Sequence, residues 1–193
     1  MLFNKKYSTR TDEELMKLTA KGDRNAFGEL YQRYSKRMLN FFHFNLKRDR
    51  YKAEDFLQDL FLKIIEKSSS FDAQKKFSTW IYTISVNMCK NEYRKNSIEK
   101  SIFSDVQEEV MYIADGYLDL AKQDFIEKEL LEKSINELDE NRRQIIILRY
   151  FEGLQLSEIA EVLGCPLGTV KSSLFNTLKL LSKKLEFSHT KTN

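Results

Sequence analysis

Three groupings in this 193-residue chain have residue types and spacings that could do chemistry. The first is Asp55, Gln58 and Asp59 in AEDFLQDLFLKIIEK, residues 53–67. Carboxylates at i and i+4 share one helix face, an arrangement that suits a metal ion, acid–base work or a basic docking partner. No third ligand, histidine or glycine-rich loop accompanies them, so docking or plain solvation is the expectation and catalysis is not. The second is FSTWIYTISVNMCKNEYRKN, residues 77–96, preceded by Phe71. With Phe77, Ile81, Ile84 and Met88 facing inward, Thr79, Thr83, Asn87, Lys90, Asn91 and Arg94 share the outer side and Trp80 sits at its border. Cations to hold phosphates, aromatics to stack or wedge and an amide to bond an extruded base make a single-stranded nucleic-acid platform; the bland alternative is a core Trp80 and Phe71 beside a wet basic surface.

The third is SEIAEVLGCPLGTVKSSLF, residues 157–175, which holds the chain's only proline between two of its six glycines. Ile159, Ala160 and Leu163 face one way. Gly164 suits the left-handed end of a helix and Pro166 the opening turn of the next. Leu167, Val170, Leu174, Leu178, Leu181 and Leu185 then form an inward stripe. The offsets of Ala160, Gly164 and Val170 are those of a helix-turn-helix: a small residue for close approach, a bend, and an apolar residue beneath it. The second helix presents Gly168, Thr169, Lys171, Ser172, Phe175, Asn176 and Lys179, lysines for phosphates and Ser and Asn for base edges. Phe175 fits either a thymine methyl and backbone or a neighbouring helix. An ordinary helical hairpin with a solvated face is the alternative.

Around these groups the composition calls for helices. Apolar residues are 41% and charged residues 32%, with Leu, Ile, Lys and Glu abundant and helix breakers scarce, so an all-α fold is expected. Thr11-Asp12-Glu13-Glu14 reads as a helix start. Stripes at Leu30/Tyr34/Met38/Phe41/Phe42, at Phe56/Leu57/Leu60/Phe61/Ile64/Ile65 and at Phe77/Ile81/Ile84/Met88 imply a bundle, broken near Lys47–Arg50 and Ser68–Ser70. The expected division is a loose segment at 1–10, a helical domain at 11–96, a linker at 97–125, a second helical domain at 126–187 and a loose tail at 188–193. The linker holds seven acids against Lys100 and Lys122, a charge of −5. The net charge is +3, so the remainder carries +8, which suits nucleic-acid contact by the two ends.

No apolar run reaches the roughly 20 residues of a membrane span, and MLFNKKYSTR has no signal core; a cytoplasmic chain without membrane insertion is expected. Cys89 and Cys165, with only His43 and His189 beside them, make neither a disulfide framework nor a zinc site. No cofactor and no metal are expected.

The order AFGELYQRY, AEDFLQDLFLKII, FSTWIYTISVNMCKNEYRK, acidic linker, RRQIIILRYFEGLQLSEIAEVLGCPLGTVKSSLF resembles the extracytoplasmic-function sigma factors of bacteria, over about residues 11–187. The resemblance implies two helical domains, regions 2 and 4, that bind core RNA polymerase at the β′ clamp helices and β flap and direct it to promoter DNA; such a protein is not an enzyme by itself. By this resemblance Asp55, Gln58 and Asp59 lie in the helix that docks on the clamp helices. Asn87, with Phe71 and the Lys67–Ser70 loop, lies where a flipped minus-ten base is captured. Trp80, Lys90, Asn91 and Arg94 lie in the helix that helps open the duplex, with Thr79 among the minus-ten contacts. Thr169, Lys171, Ser172, Ser173, Phe175, Asn176 and Lys179 lie in the helix that reads the minus-thirty-five element. The linker would thread towards the RNA exit path.

Many family members carry arginine at the positions of Ser173 and Asn176, so this recognition helix lacks two phosphate clamps, and weak free duplex binding is expected. An anti-sigma factor, commonly membrane-bound, is implied by the resemblance alone. The alternatives are a stand-alone helix-turn-helix regulator and a protein-binding helical adaptor. A dimerisation surface or an effector pocket would mark the first, and neither is evident in the sequence; the second would not need the Asn87–Arg94 face or the lysines after Val170.

Overall fold

Short polar residues start four of the helices. In the computed structural model, which describes residues 5–102 and 131–189 (side chains at 5, 97, 99–102 and 185–189 excepted), every described regular element is helical. Thr11 opens α2 (Asp12–Thr19) with a reciprocal box: its hydroxyl accepts from the Glu14 N–H at 3.2 Å, and the Glu14 carboxylate accepts from the Thr11 N–H at 3.1 Å. Asp23 caps α3 (Arg24–Asn45), Asp49 caps α4 (Arg50–Glu66), and Asp139 caps α7 (Glu140–Ile146), each accepting backbone N–H bonds of the first turn.

The first unit runs from α1 (Lys5–Ser8) to α5 (Phe77–Ile102). The stripe Leu30, Tyr34, Met38, Phe41 and Phe42 is buried as the periodicity predicts, against Leu15, Met16, Leu57, Leu60, Ile64, Phe77 and Ile81. Aromatic rings meet edge-on through it, Phe41 with Tyr82 at 5.6 Å and Tyr34 with Phe77 at 5.1 Å. The expected breaks are present: Lys47 and Arg48 take positive φ between α3 and α4, and Ser68–Ser70 form a 3₁₀ turn.

Several expectations need correction. Residues 5–10 are tied down, because the Arg33 guanidinium donates to the carbonyls of Ser8 and Arg10 at 2.9 and 3.0 Å, and the Tyr7 hydroxyl donates to Asp23 at 2.9 Å. Helix α5 continues past Asn96 to Ile102; the remainder of the expected linker and residues 126–130 lie outside the described residues, as do 190–193. Ile65 is exposed rather than inward. Along α5, Tyr82, Ser85, Val86 and Cys89 are buried while Ile84 and Met88 are only partly so, since a second set of helices packs on this helix.

That second unit comprises α6 (residues 131–136), α7, α8 (Leu156–Leu163) and α9 (Leu167–His189). Ile135, Leu138, Ile146 and Leu181 form a small core of their own. Ile145, Ile147, Leu148, Leu154, Ile159, Val162 and Val170 instead join the core of the first unit. On α9, Val170, Thr177 and Leu181 face inward, Leu174 is half-buried, and Leu167 and Leu178 are exposed. The inward stripe is therefore narrower than expected; the Leu185 side chain lies outside the described residues. The buried Arg143 guanidinium donates to the carbonyls of Asn136 and Leu138 at 2.6 and 2.8 Å, neutralising the end of α6.

Candidate nucleic-acid and protein interfaces

Helix α4 has two faces. Its inner stripe, Ala53, Leu57, Leu60, Phe61 and Ile64, is buried. Asp55, Gln58 and Asp59 all lie on the outer side, exposed. Beside them the structure places three residues the sequence reading did not assign there: Tyr51, 82% exposed, Leu62, 57%, and Ile65. Positions 51, 55, 58, 62 and 65 alternate by four and three, the spacing of a coiled-coil seam. Large apolar groups flanked by carboxylates on such a seam can receive a basic, helical partner. The 4-3-4-3 alternation was visible in the sequence but lay beside a stronger apolar stripe.

The strip on α5 is partly as expected. Asn87, Asn91 and Arg94 are exposed. Trp80, Asn87 and Arg94 recur every seven residues, so they line up along about 21 Å of helix. Trp80 is half-buried in an aromatic cluster, its ring 5.2 Å from Phe71 and 5.9 Å from Phe77. This cluster closes over the end of the Ser68–Ser70 turn, where Phe71 donates its N–H to the Ser68 carbonyl at 3.3 Å. Two residues differ from the outward reading. Thr79 is buried, and the Lys90 ammonium lies 3.4 Å from the Leu163 carbonyl. Lys90 thus meets the end of α8, and Thr79, eleven residues earlier, lies on the same side of α5 by helix spacing.

The elbow forms as its residues dictate. Gly164 adopts φ 66 and ψ 38, and the N–H groups of Gly164 and Cys165 close the end of α8 on the carbonyls of Glu161 and Ala160, at 3.2 and 3.0 Å. The Pro166 carbonyl accepts from Thr169 at 2.9 Å as α9 begins. Thr169, Lys171, Ser172, Asn176 and Lys179 project into solvent with Phe175, 68% exposed, while Ser173 is half-buried. Phe175 thus packs on no neighbouring helix in a buried position, and Leu178 beside it widens the apolar part of this face.

Between the units lies a polar network that the sequence did not reveal. Residues Ile147–Phe151 wind as a π turn, and this extra residue per turn carries Phe151 onto Phe44, ring centroids 5.0 Å apart. It also places Glu152, 9% exposed, among residues of the first unit. The Glu152 carboxylate accepts from the Arg37 guanidinium at 3.1 Å and from the Tyr82 hydroxyl, and its carbonyl accepts from Arg37 at 2.9 Å. Burial first, then the adjacent carboxylate, pushes the Tyr82 phenol well above its ordinary range. Lys76 pairs with Glu158 at 2.6 Å and Arg48 with Glu132. Burial raises the Cys89 thiol, leaving it inert. Among the described residues no group of three or more His, Cys, Asp or Glu could hold a metal, and no helix is long and apolar enough to cross a membrane.

Three exposed faces thus lie on separate helices: an apolar and acidic seam on α4 and polar, cationic strips on α5 and α9. The chain matches the family model described as Sigma-70 region 2 over residues 30–98 and that for Sigma-70, region 4 over residues 128–181. It is 30% identical to the ECF RNA polymerase sigma factor SigW of Bacillus subtilis, covering 88% of this chain and 94% of the relative. It is also 30% identical to the ECF RNA polymerase sigma-E factor of Escherichia coli K12, covering 91% and 95%. Its fold matches the sigma factor RpoE of Bartonella quintana, solved in complex with the anti-sigma factor NepR, with a TM-score of 0.70 and 27% identity over 83% of this chain and 96% of that one. The chain belongs to the extracytoplasmic-function (ECF) RNA polymerase sigma factors, and its function lies in transcription initiation.

Proposed function

We propose that this sigma factor docks on the β′ clamp helices of core RNA polymerase through the outer seam of α4, with Asp55, Gln58 and Asp59 meeting basic groups and Tyr51 and Leu62 supplying apolar contact. The carrying observation is that one helix buries a full apolar stripe yet still exposes a second stripe of large apolar and acidic residues. Such a face on a soluble chain calls for a partner, and carboxylates at its rim favour a basic one.

With region 2 docked, the strip on α5 takes the minus-ten strand. Asn87, with Phe71 and the 67–70 turn, captures an extruded base; Trp80 borders the stack; Lys90, Asn91 and Arg94 hold the backbone. Capture of the extruded base offsets the few kcal/mol that unstacking a step costs. Thr79 supports this strip from beneath instead of touching DNA in the observed arrangement. The α9 face, from Thr169 to Lys179, reads the minus-thirty-five duplex with region 4 held on the β flap. Lacking arginine at Ser173 and Asn176, it binds free duplex weakly and depends on polymerase for the remainder. The chain supplies positioning and no covalent chemistry. An anti-sigma factor regulates it, by analogy with the RpoE–NepR complex.

The test is gel filtration with purified bacterial core polymerase. The chain is expected to co-elute, and Asp55→Lys/Asp59→Lys with Leu62→Ala is expected to lose co-elution while keeping its helical circular dichroism. A chain that binds duplex DNA tightly but never polymerase would instead be a stand-alone regulator.

A further inference from the structure

We propose that Glu13 is a positioning residue for the minus-ten pocket: from α2 it caps the start of α5, and so holds the aromatic wall and Asn87 at the spacing an extruded base requires. This rests on the reading of Phe71, Trp80 and Asn87 as the base-capturing group. The residue before α5 cannot cap it, because Lys76 has a side chain that only donates, and the first turn of α5 contains no acid. The Asp72 carboxylate is turned to its own loop, where it accepts from the Gln74 N–H at 3.0 Å. The missing acceptor comes from 64 positions away: Glu13 Oε1 accepts from the Phe77 N–H at 2.9 Å.

The same helix grips Phe77 a second time. Asp12 accepts from the Arg33 guanidinium at 2.6 Å and from the Tyr34 hydroxyl, and the Tyr34 ring meets that of Phe77 edge-on at 5.1 Å. Phe77 is fully buried and meets both aromatic members of the pocket, its ring 6.0 Å from that of Phe71 and 5.9 Å from that of Trp80. Helix α2 also packs against the Ser68–Ser70 turn. One helix therefore backs both walls, the turn and the start of α5. The lever is long. Asn87 lies about 15 Å along the axis from Phe77, so a tilt of about 10° at the start of α5 would carry it by roughly 2.5 Å, whereas a site that orients a ligand tolerates about 0.5 Å. Charge adds a second effect. An uncapped helix start attracts phosphate, so without Glu13 a strand would be drawn to the end of α5 by its backbone instead of being presented by its base. Glu13 then governs which base is taken more than how tightly DNA is held.

The experiment compares the wild-type chain, Glu13→Ala and Glu13→Gln, each as the full chain, free and assembled with core polymerase. The probe is a library of single-stranded DNA 30-mers randomised at their centre; retained strands are sequenced and total retention is measured. The wild-type chain is expected to enrich a motif. Glu13→Ala is expected to lose at least fivefold in preference for the favoured base at the most selective position, while total retention stays within twofold. Glu13→Gln, whose amide oxygen can accept the same N–H, is expected to keep the preference. Acrylamide quenching of the single tryptophan, Trp80, reads the pocket without DNA and is expected to rise in Glu13→Ala alone. Unchanged preference or unchanged quenching in Glu13→Ala, or equal losses of preference and total retention, overturns the positioning role. A Glu13→Ala chain that lost its helical circular dichroism would mark Glu13 as a residue of the whole fold and overturn it too. No enriched motif with the wild-type chain, free or assembled, would instead overturn the reading of α5 as the minus-ten helix, and the role of Glu13 with it.

Discussion

The two units differ in how they are held together. The first has a large core of aromatic and aliphatic side chains drawn from α2 to α5, onto one side of which the second unit packs. The second has four buried residues in a core of its own and shares seven more with its neighbour. More of the second unit's buried residues lie in the shared core than in a core of its own.

The largest effect is expected in the first unit. Phe41→Ala, at the centre of the large core beside Phe42 and Tyr82, is expected to cost about 3–5 kcal/mol. Thermal unfolding followed by circular dichroism should show both units melting together at lower temperature. If region 4 signals persisted after region 2 unfolded, the second unit would be independent.

Arg143→Ala acts on the second unit. Its buried guanidinium is bound to the carbonyls that end α6, and removing it should cost about 2–3 kcal/mol. Hydrogen exchange is expected to rise in 131–146 and α9 and to stay unchanged in α2 to α4. A uniform rise would mean the units are not separable.

Gly164→Ala addresses the elbow alone. Left-handed backbone costs a residue with a Cβ roughly 1–2 kcal/mol, and Gly164 has φ 66. The expected outcome is a small drop in melting temperature with a larger loss of duplex binding, because α9 is re-aimed; polymerase co-elution should be unaffected.

The smallest effect is electrostatic. The Lys76 ammonium first, then the Gln155 N–H, holds the Glu158 carboxyl below its usual 4.5. A lowered folded value means the contribution is present above pH 4.5 and is lost as pH falls through the lowered value. Lys76 is mostly exposed, so salt should weaken it. Fluorescence of the single tryptophan, Trp80, four residues from Lys76, should differ between the wild-type chain and Glu158→Gln at pH 7, and the difference should vanish near pH 3.

Much of this was legible in the sequence, for physical reasons that can be named. The elbow was readable because Gly164 and Pro166 restrict the backbone locally, and the core stripe of α3 because one helix face meets one core. The α5 face was misread at Thr79 and Ile84 because that helix is packed on two sides, and periodicity assigns only one. The Glu152 network was hidden because its partners, Tyr82 and Arg37, lie 70 and 115 positions away, and a glutamate before glycine looks like any exposed turn. Tyr51 and Leu62 could have been found from their spacing, had the outer stripe of α4 been weighed apart from its inner one.

The central claim is that this chain directs core polymerase to promoters using both units. Its most direct test is run-off transcription on genomic fragments with purified core polymerase and the chain. Discrete transcripts are expected that require the chain, with start sites downstream of two shared sequence elements, and that fall at least tenfold with Asn87→Ala or with Asp55→Lys/Asp59→Lys. Transcripts indistinguishable from those of core polymerase alone, made with folded protein and active core, would contradict it.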